Sequence, residues 1–265
     1  MASHIHLYIE QGARIVGAFP SATEGYDPAE PNDHTRFQDF GHSHWKNSLI
    51  WGIGLEDITI SGPGVIYGKG LTREESRLPG VGNKAISLKL CKNVTLKDFS
   101  LLHCGHFGLL ATGVDNLSIL NVKVDTNRDG FDIDCCKNVR ISHCTVNAPW
   151  DDAIVLKASY GLGYFKDTEN VTISDCLSDG YDRGSVLDCT WQRDEPQAPD
   201  HGFVTGRIKL GTESSGGFKN IAITNCIFER CRGLALETVT VANWKISSSV
   251  TSRCAILSTP PSSCG

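Results

Sequence analysis

The sequence predicts an all-β chain wound as a single-stranded right-handed parallel β-helix, and three observations predict it. Six segments join a polar residue, often Asn, to an alternating strand: EDITISG (56–62), KNVTLKDFS (92–100), DNLSILNVK (115–123), KNVRISHCT (137–145), ENVTISDCL (169–177) and KNIAITNCI (219–227). Their anchors Asn93, Asn116 and Asn138 lie 23 and 22 residues apart, and the later intervals of 32 and 50, to Asn170 and Asn220, imply insertions of about 10 and 27 residues. A strand-built repeat of that period reads as a solenoid whose coils bury a common core. The third observation is compositional. With 27 Gly against one Met, and Val, Ile and Thr in short runs, the chain favours short strands and tight turns over helices.

Each element follows from its own pattern. At the N-terminus Ile5, Leu7 and Ile9 alternate with His6, Tyr8 and Glu10, which is a half-buried strand. Six positions after each anchor stand Phe99, Val122, Cys144, Cys176 and Cys226. All suit burial, so one inward column should climb the stack by about 4.8 Å per coil. Three of the eleven cysteines are thereby expected in a core ladder, and Cys135–Cys136 and the pair Cys254 and Cys264 are the better disulfide candidates. The repeated Asn should stack at a turn, which makes the N-x-S/T sequons at Asn93, Asn116 and Asn170 incidental.

A second strand follows each of these: HFGLLAT (106–112), DGFDIDC (129–135), DDAIVLK (151–157), GRIKLGT (206–212) and RGLALET (232–238). Alternation turns Phe131, Ile133, Ile154, Leu156, Ile208, Leu210, Leu234 and Leu236 inward, and Asp132, Asp134, Lys157, Arg207 and Lys209 outward. A charged outer face of this kind suits a groove for an extended polymer. Asp134 and Lys157, 23 residues apart, are candidates for an ion pair between coils.

The repeat should form one domain over residues 1–241, incomplete at both ends, followed by an irregular or disordered Ser-rich tail over 242–265. A net charge of −5 without a basic block gives no reason to expect nucleic acid as a partner. No run of 18 apolar residues argues for a transmembrane helix, and the first residues lack the basic and apolar regions of a signal peptide. No CxxC pair marks a zinc site, and the His42, His44, Trp45 and Trp51 cluster reads as aromatic packing. A monomer is expected.

The chemistry-bearing stretch is NAPWDDAIVLK (147–157). Asp129 precedes one strand, and Asp151 and Asp152 precede the next, 22 and 23 residues later. At the pitch of a solenoid the three carboxylates become neighbours about 5 Å apart. Like charges so close raise at least one pKa, leaving one acid protonated beside an ionised one. Inverting glycoside hydrolysis needs that division, with acid and base roughly 6.5–9.5 Å apart. Turn-capping by the Asp side chains is the plainer reading, and calcium is a lesser one.

These residues carry a resemblance. TNRDGFDID, then WDDAIVLK, GTESSGGFKNIAITNC and CRGLALET, resemble the family 28 glycoside hydrolases, the polygalacturonases and rhamnogalacturonan hydrolases of the pectin-degrading β-helix superfamily, over roughly residues 5–240. Asn127-Arg128-Asp129-Gly130 and Asp151-Asp152 match the family's N-T-D and D-D motifs except at Arg128. The resemblance implies hydrolysis of a pectic, acidic polysaccharide with inversion, no metal and no cofactor, outside the cell or in the periplasm. Asp151 would be the general acid, and Asp129 and Asp152 would activate water.

The substrate-binding candidates are Asn127, Trp150, Lys157, Arg207, Lys209 and His201. The family's G-H-G has Thr205-Gly206 in its place, with His201-Gly202 four residues earlier. Its R-I-K has Ala235, Leu236 and Glu237, while Arg207-Ile208-Lys209 spells that tripeptide one coil earlier. The insertion over about 178–204 brings Tyr181, Arg183, Trp191 and Arg193, as a sugar-binding lid or a surface loop. A polysaccharide lyase on the same fold and a non-catalytic carbohydrate-binding β-helix are the competing functions.

Overall fold

The computed structural model describes residues 1–21, 23–33, 42–72, 80–194 and 203–238. Its strands form three parallel sheets of seven, and each coil contributes one strand to each sheet in turn. The anchor segments build the first sheet, for example Asp115–Leu120 on Lys137–Ser142 with Leu117 opposite Val139 and Ile119 opposite Ile141. The third sheet stacks Phe107–Thr112, Asp129–Asp134, Ile154–Ala158, Ile208–Ser214 and Leu234–Leu236. Between them runs a second sheet of three-residue strands such as Ser100–Leu102, Lys123–Asp125, Thr145–Asn147 and Leu177–Asp179. Each offers the core a single side chain, so no alternation exists for a sequence to display.

The core is a set of vertical columns. Phe99, Val122, Cys144, Cys176 and Cys226 are all buried in it, as are Phe131, Ile133, Ile154, Leu156, Ile208 and Leu210. Each such side chain contributes about 1.5–3 kcal/mol on burial. Leu236, on the last described strand, is exposed. The described cysteines are free thiols, Cys135 and Cys136 included, so the disulfide expected there is not present. Both are buried, and each donates to a backbone carbonyl, Ser159 O and Ala111 O. Cys254 and Cys264 fall outside the described residues.

At the corners, side-chain amides extend the repeat. Asn93, Asn116, Asn138, Asn170 and Asn220 each donate through Nδ2 to the residue one coil below, at 2.9–3.1 Å, with Asp57 at the foot. All five have φ between 51° and 58°, a left-handed backbone that Asn tolerates better than other L-residues. Because the three sequon Asn spend their amides in this ladder, its position in the repeat is structural. A second column of Asp98, Asn121, His143, Asp175 and Asn225 stands at the next corner, again with positive φ, and there Asn121 donates to Asp98 at 2.9 Å and Asn225 to Asp175.

The charged outer face of the third sheet is not an open groove along its length. Asp132, Asp134 and Lys157 point away from the core as predicted, yet all are buried. Residues 42–47 lie across them: Trp45 packs on Phe107 and Leu110 and donates to Thr112 Oγ1 at 3.1 Å. Ser159 closes over Asp134, donating from N at 2.8 Å and from Oγ at 2.6 Å. The expected Asp134–Lys157 ion pair therefore does not form. Lys157 instead pairs with Asp132 at 3.2 Å and Glu213 at 3.4 Å, and its Nζ contacts the His42 ring.

Candidate active site

The three carboxylates meet at the corner between the second and third sheets. Asp129 opens strand Asp129–Asp134, and Asp151 and Asp152 occupy the turn before strand Ile154–Ala158. Backbone bonds lock these two coils together, Trp150 N to Asn127 O at 2.9 Å and Gly130 N to Asp152 O at 3.0 Å, and Gly206 N to Asp151 O at 2.8 Å ties on the coil above. Gly130 permits the approach. A Cβ at this position would stand 2.4 Å from the Ala153 carbonyl oxygen and 2.3 Å from the Val146 side chain.

The Asp152 amide donates to Asp129 Oδ1 at 3.2 Å and to Asp151 Oδ1 at 3.1 Å, so the turn-capping role coexists with the cluster. One oxygen of Asp129, one of Asp151 and a ring nitrogen of His106 lie within 4.8 Å of one another. The closest oxygens of this pair are thus nearer than the 6.5–9.5 Å between carboxyl groups expected of an inverting acid and base.

Burial, reinforced by Asp151 and Asp132, pushes the Asp129 carboxyl well above the usual carboxylate range. Asp152 is also buried and displaced upward, although Lys209 at 2.6 Å and Arg207 at 2.7 Å pull against that displacement. Asp151 is the most open of the trio, with 18% of its side chain accessible, and Arg128 Nη2 engages it at 3.1 Å. His106 stacks on Phe107 at 4.2 Å. Burial and Arg128 hold its imidazole pKa well down, so the neutral ring can accept from Arg128 Nη2 at 3.4 Å.

The sequence-predicted residues divide. Asp129, Asp151, Asp152, Arg207, Lys209 and Trp150 come together at this corner, with Asn127 buried beside it. Lys157 belongs to a neighbouring covered cluster with His42, Asp132 and Glu213. Burial alone would lower the Lys157 pKa, but Asp132 and Glu213 raise it well above normal. Glu213, despite its burial, is held at about 2 by Lys157 and His42. His201 lies outside the described residues.

Four residues that sequence reasoning did not place in the site stand in it: His106, Arg128, Glu237 and, beneath it, His42. Arg128 was visible as a departure from the motif, and Glu237 as the residue standing where R-I-K is expected. The insertion aromatics pack over the second sheet, with Tyr181 edge-on to Trp191 at 5.3 Å and Arg193 over Tyr181. Asp125 holds that segment by accepting from Gly184, Val186 and Leu187 amides at 2.7–2.9 Å.

Among the described residues, two groups have donor atoms close enough to hold a cation, His42–Asp129–Asp132 and His106–Asp129–Asp151. Each already has a positive charge from the chain beside it, Lys157 in the first and Arg128 in the second.

A polygalacturonase of Juniperus ashei is 28% identical over 188 residues, covering 64% of this chain and 32% of that protein. One of Chamaecyparis obtusa is 28% identical over 152 residues, covering 51% and 28%. The chain therefore spans about a third of the length of these curated relatives. Among solved structures, the polygalacturonase from Erwinia carotovora ssp. carotovora superposes with a TM-score of 0.66 at 17% identity, covering 94% of this chain and 63% of that one. A hyperthermoactive exopolygalacturonase from Thermotoga maritima gives 0.63 at 17%, covering 90% and 57%. Residues 46–187 match the family described as right handed beta helix region. Since three parallel sheets, an Asn ladder and a stacked core run through that match, the chain belongs to the right-handed β-helix family.

Proposed function

We propose that this chain carries the acid/base centre of a glycoside hydrolase that cleaves a pectic polysaccharide, outside the cell or in the periplasm. The observation that carries the proposal is the Asp129–Asp151 pair, one member deeply buried and displaced toward its protonated form, the other more open and in contact with Arg128. Two carboxyls in different electrostatic states are what glycosidic cleavage requires: one donates a proton to the leaving oxygen while another draws a proton from water. The resemblance gives Asp151 the donor role and Asp129 and Asp152 the water. Arg128 Nη2 lies 3.1 Å from Asp151, so this contact must give way for Asp151 to reach a leaving oxygen. Trp150, half-buried beside Asp151, supplies an aromatic face for a sugar ring. Inversion at the anomeric carbon is what the resemblance implies; the close approach of the Asp129 and Asp151 oxygens does not itself support it.

The test is digestion of a panel of pectic polysaccharides, read by new reducing ends, with the anomer of the first product followed by NMR. Asp151→Asn and Asp129→Asn should each lower the rate by about 100-fold or more. Unchanged hydrolysis in both variants would remove these residues from the chemistry. An unsaturated, ultraviolet-absorbing product would mean a lyase, and binding without any product would mean a carbohydrate-binding β-helix.

A further inference from the structure

The cations of this site are already matched by the chain's own carboxylates. Arg207 Nε and Lys209 Nζ hold Asp152 at 2.7 and 2.6 Å, and Arg128 holds Asp151 at 3.1 Å. The other side of the Arg207–Lys209 pair faces Glu237, whose Oε1 lies 2.7 Å from Arg207 Nη1 and Oε2 3.6 Å from Lys209 Nζ. Glu237 thus bridges the two cations as the carboxylate of a bound uronate would. Its amide, donating to Leu210 O at 2.9 Å, fixes it in the coil above. At 37% accessible, it is the most open member of the cluster. Asp151, Asp152 and Glu237 balance Arg128, Arg207 and Lys209, and Asp129 adds a fourth carboxyl. A uronate entering here would bring another anion to cations that have none of their charge to spare.

We propose that the glycosyl unit seated against the acid trio is uncharged, either a neutral sugar or an esterified uronate, and that Glu237 is the specificity-determining residue. The proposal rests on the hydrolase reading and narrows its substrate. Uronates elsewhere along the same polymer are compatible with it; only the unit beside Asp151 and Asp152 must lack a free carboxylate.

The experiment compares kcat/KM on de-esterified galacturonan, highly methyl-esterified galacturonan and rhamnogalacturonan, for the parent chain, Glu237→Gln and Glu237→Asp. The parent should favour one of the latter two over the first by about 10-fold or more, and which one it favours tells an ester from a neutral sugar. Glu237→Gln should narrow that ratio by about 10-fold, mainly through KM on the de-esterified polymer, while Glu237→Asp preserves it. A general loss of structure would lower all three rates together and leave the ratio alone. Fastest cleavage of de-esterified galacturonan by the parent, or a ratio unmoved by Glu237→Gln, would overturn the proposal. If no polymer is cleaved, the hydrolase reading fails instead. The affinities of the three polymers for the parent and Glu237→Gln chains then decide the charge preference by the same criteria.

Discussion

Asp179→Asn should make the protein more stable at neutral and alkaline pH and leave it nearly unchanged in acid. Asp179 belongs to a column on the second sheet in which Asp125, Asn147, Asp179 and Glu229 are successive register partners. Asn147 relieves the lower step by donating to Asp125 Oδ1 at 2.9 Å, but nothing separates Asp179 from Glu229. Burial first, then Glu229 and Asp125, push the Asp179 carboxyl to about 7 from its ordinary 3.8. Since the folded chain binds this proton more tightly than the unfolded one, the contribution is fully present below the unfolded pKa. It is lost as pH rises through the folded value.

A displacement of about three units at 1.36 kcal/mol each sets a ceiling of about 4 kcal/mol above pH 7. Glu229, on the exposed side, is partly screened by water, which brings the expected gain to about 2–3 kcal/mol. Asn reproduces the shape of the protonated acid, so the two proteins should coincide at low pH. Urea denaturation followed by far-ultraviolet circular dichroism, at several values between about pH 4 and 8, would measure the difference directly. Parallel stability curves for the two proteins across that range would refute the reasoning, because a carboxyl with an ordinary pKa has no such window.

Two further predictions concern the scaffold. Asn138→Ala deletes one rung of the amide ladder and places Ala at a φ of 57°, so chemical denaturation should show a loss of about 2–3 kcal/mol. Asn138→Gly, which removes the same hydrogen bonds but tolerates the backbone, should recover about 1 kcal/mol of that. Lys157→Met strips the buried cation from Asp132 and Glu213 and should cost about 3–5 kcal/mol near neutral pH. The loss should shrink in acid as the two carboxylates gain protons, and a deficit independent of pH would mean lost packing rather than lost charge.

Much of the fold was legible because a solenoid writes its contacts at a fixed spacing. Asn93, Asn116 and Asn138 are neighbours in space because they are 22 or 23 residues apart, and the same arithmetic put Asp129 under Asp151 and Asp152. The column ending in Cys144, Cys176 and Cys226 was legible for the same reason. What the spacing could not show is anything that lies outside the coils. Residues 42–47 cover Asp132 and Lys157 from a part of the chain about 90 to 115 residues away, a separation no period encodes. The choice of Asp132 over Asp134 as the partner of Lys157 was equally hidden. Asp134 is opposite Lys157 in register, but Ser159 satisfies it first, and a register shift after Leu156 brings Glu213 to the lysine.

That division between coil and corner explains where chemistry can reside in this fold. Within the inner coils an outward side chain has a residue in register above and below it, and on the third sheet Asp132 and Asp134 are spent on Lys157, His42 and Ser159. The corner between the second and third sheets is different because its length varies. It takes three residues between Asp125 and Asp129, six between Asn147 and Ile154, and the whole insertion after Asp179. Backbone bonds such as Gly206 N to Asp151 O still fix the height of each coil there, so carboxylates on successive corners keep their spacing while the residues beside them change. Arg128 is such a neighbour, and Glu237 reaches the site from the far end of strand Leu234–Leu236. One engages Asp151 and the other closes the Arg207–Lys209 pair, and neither lies within a strand. The acids are therefore placed by the solenoid, whereas the charge a substrate meets is set by side chains at corners and strand ends that the solenoid leaves free to differ.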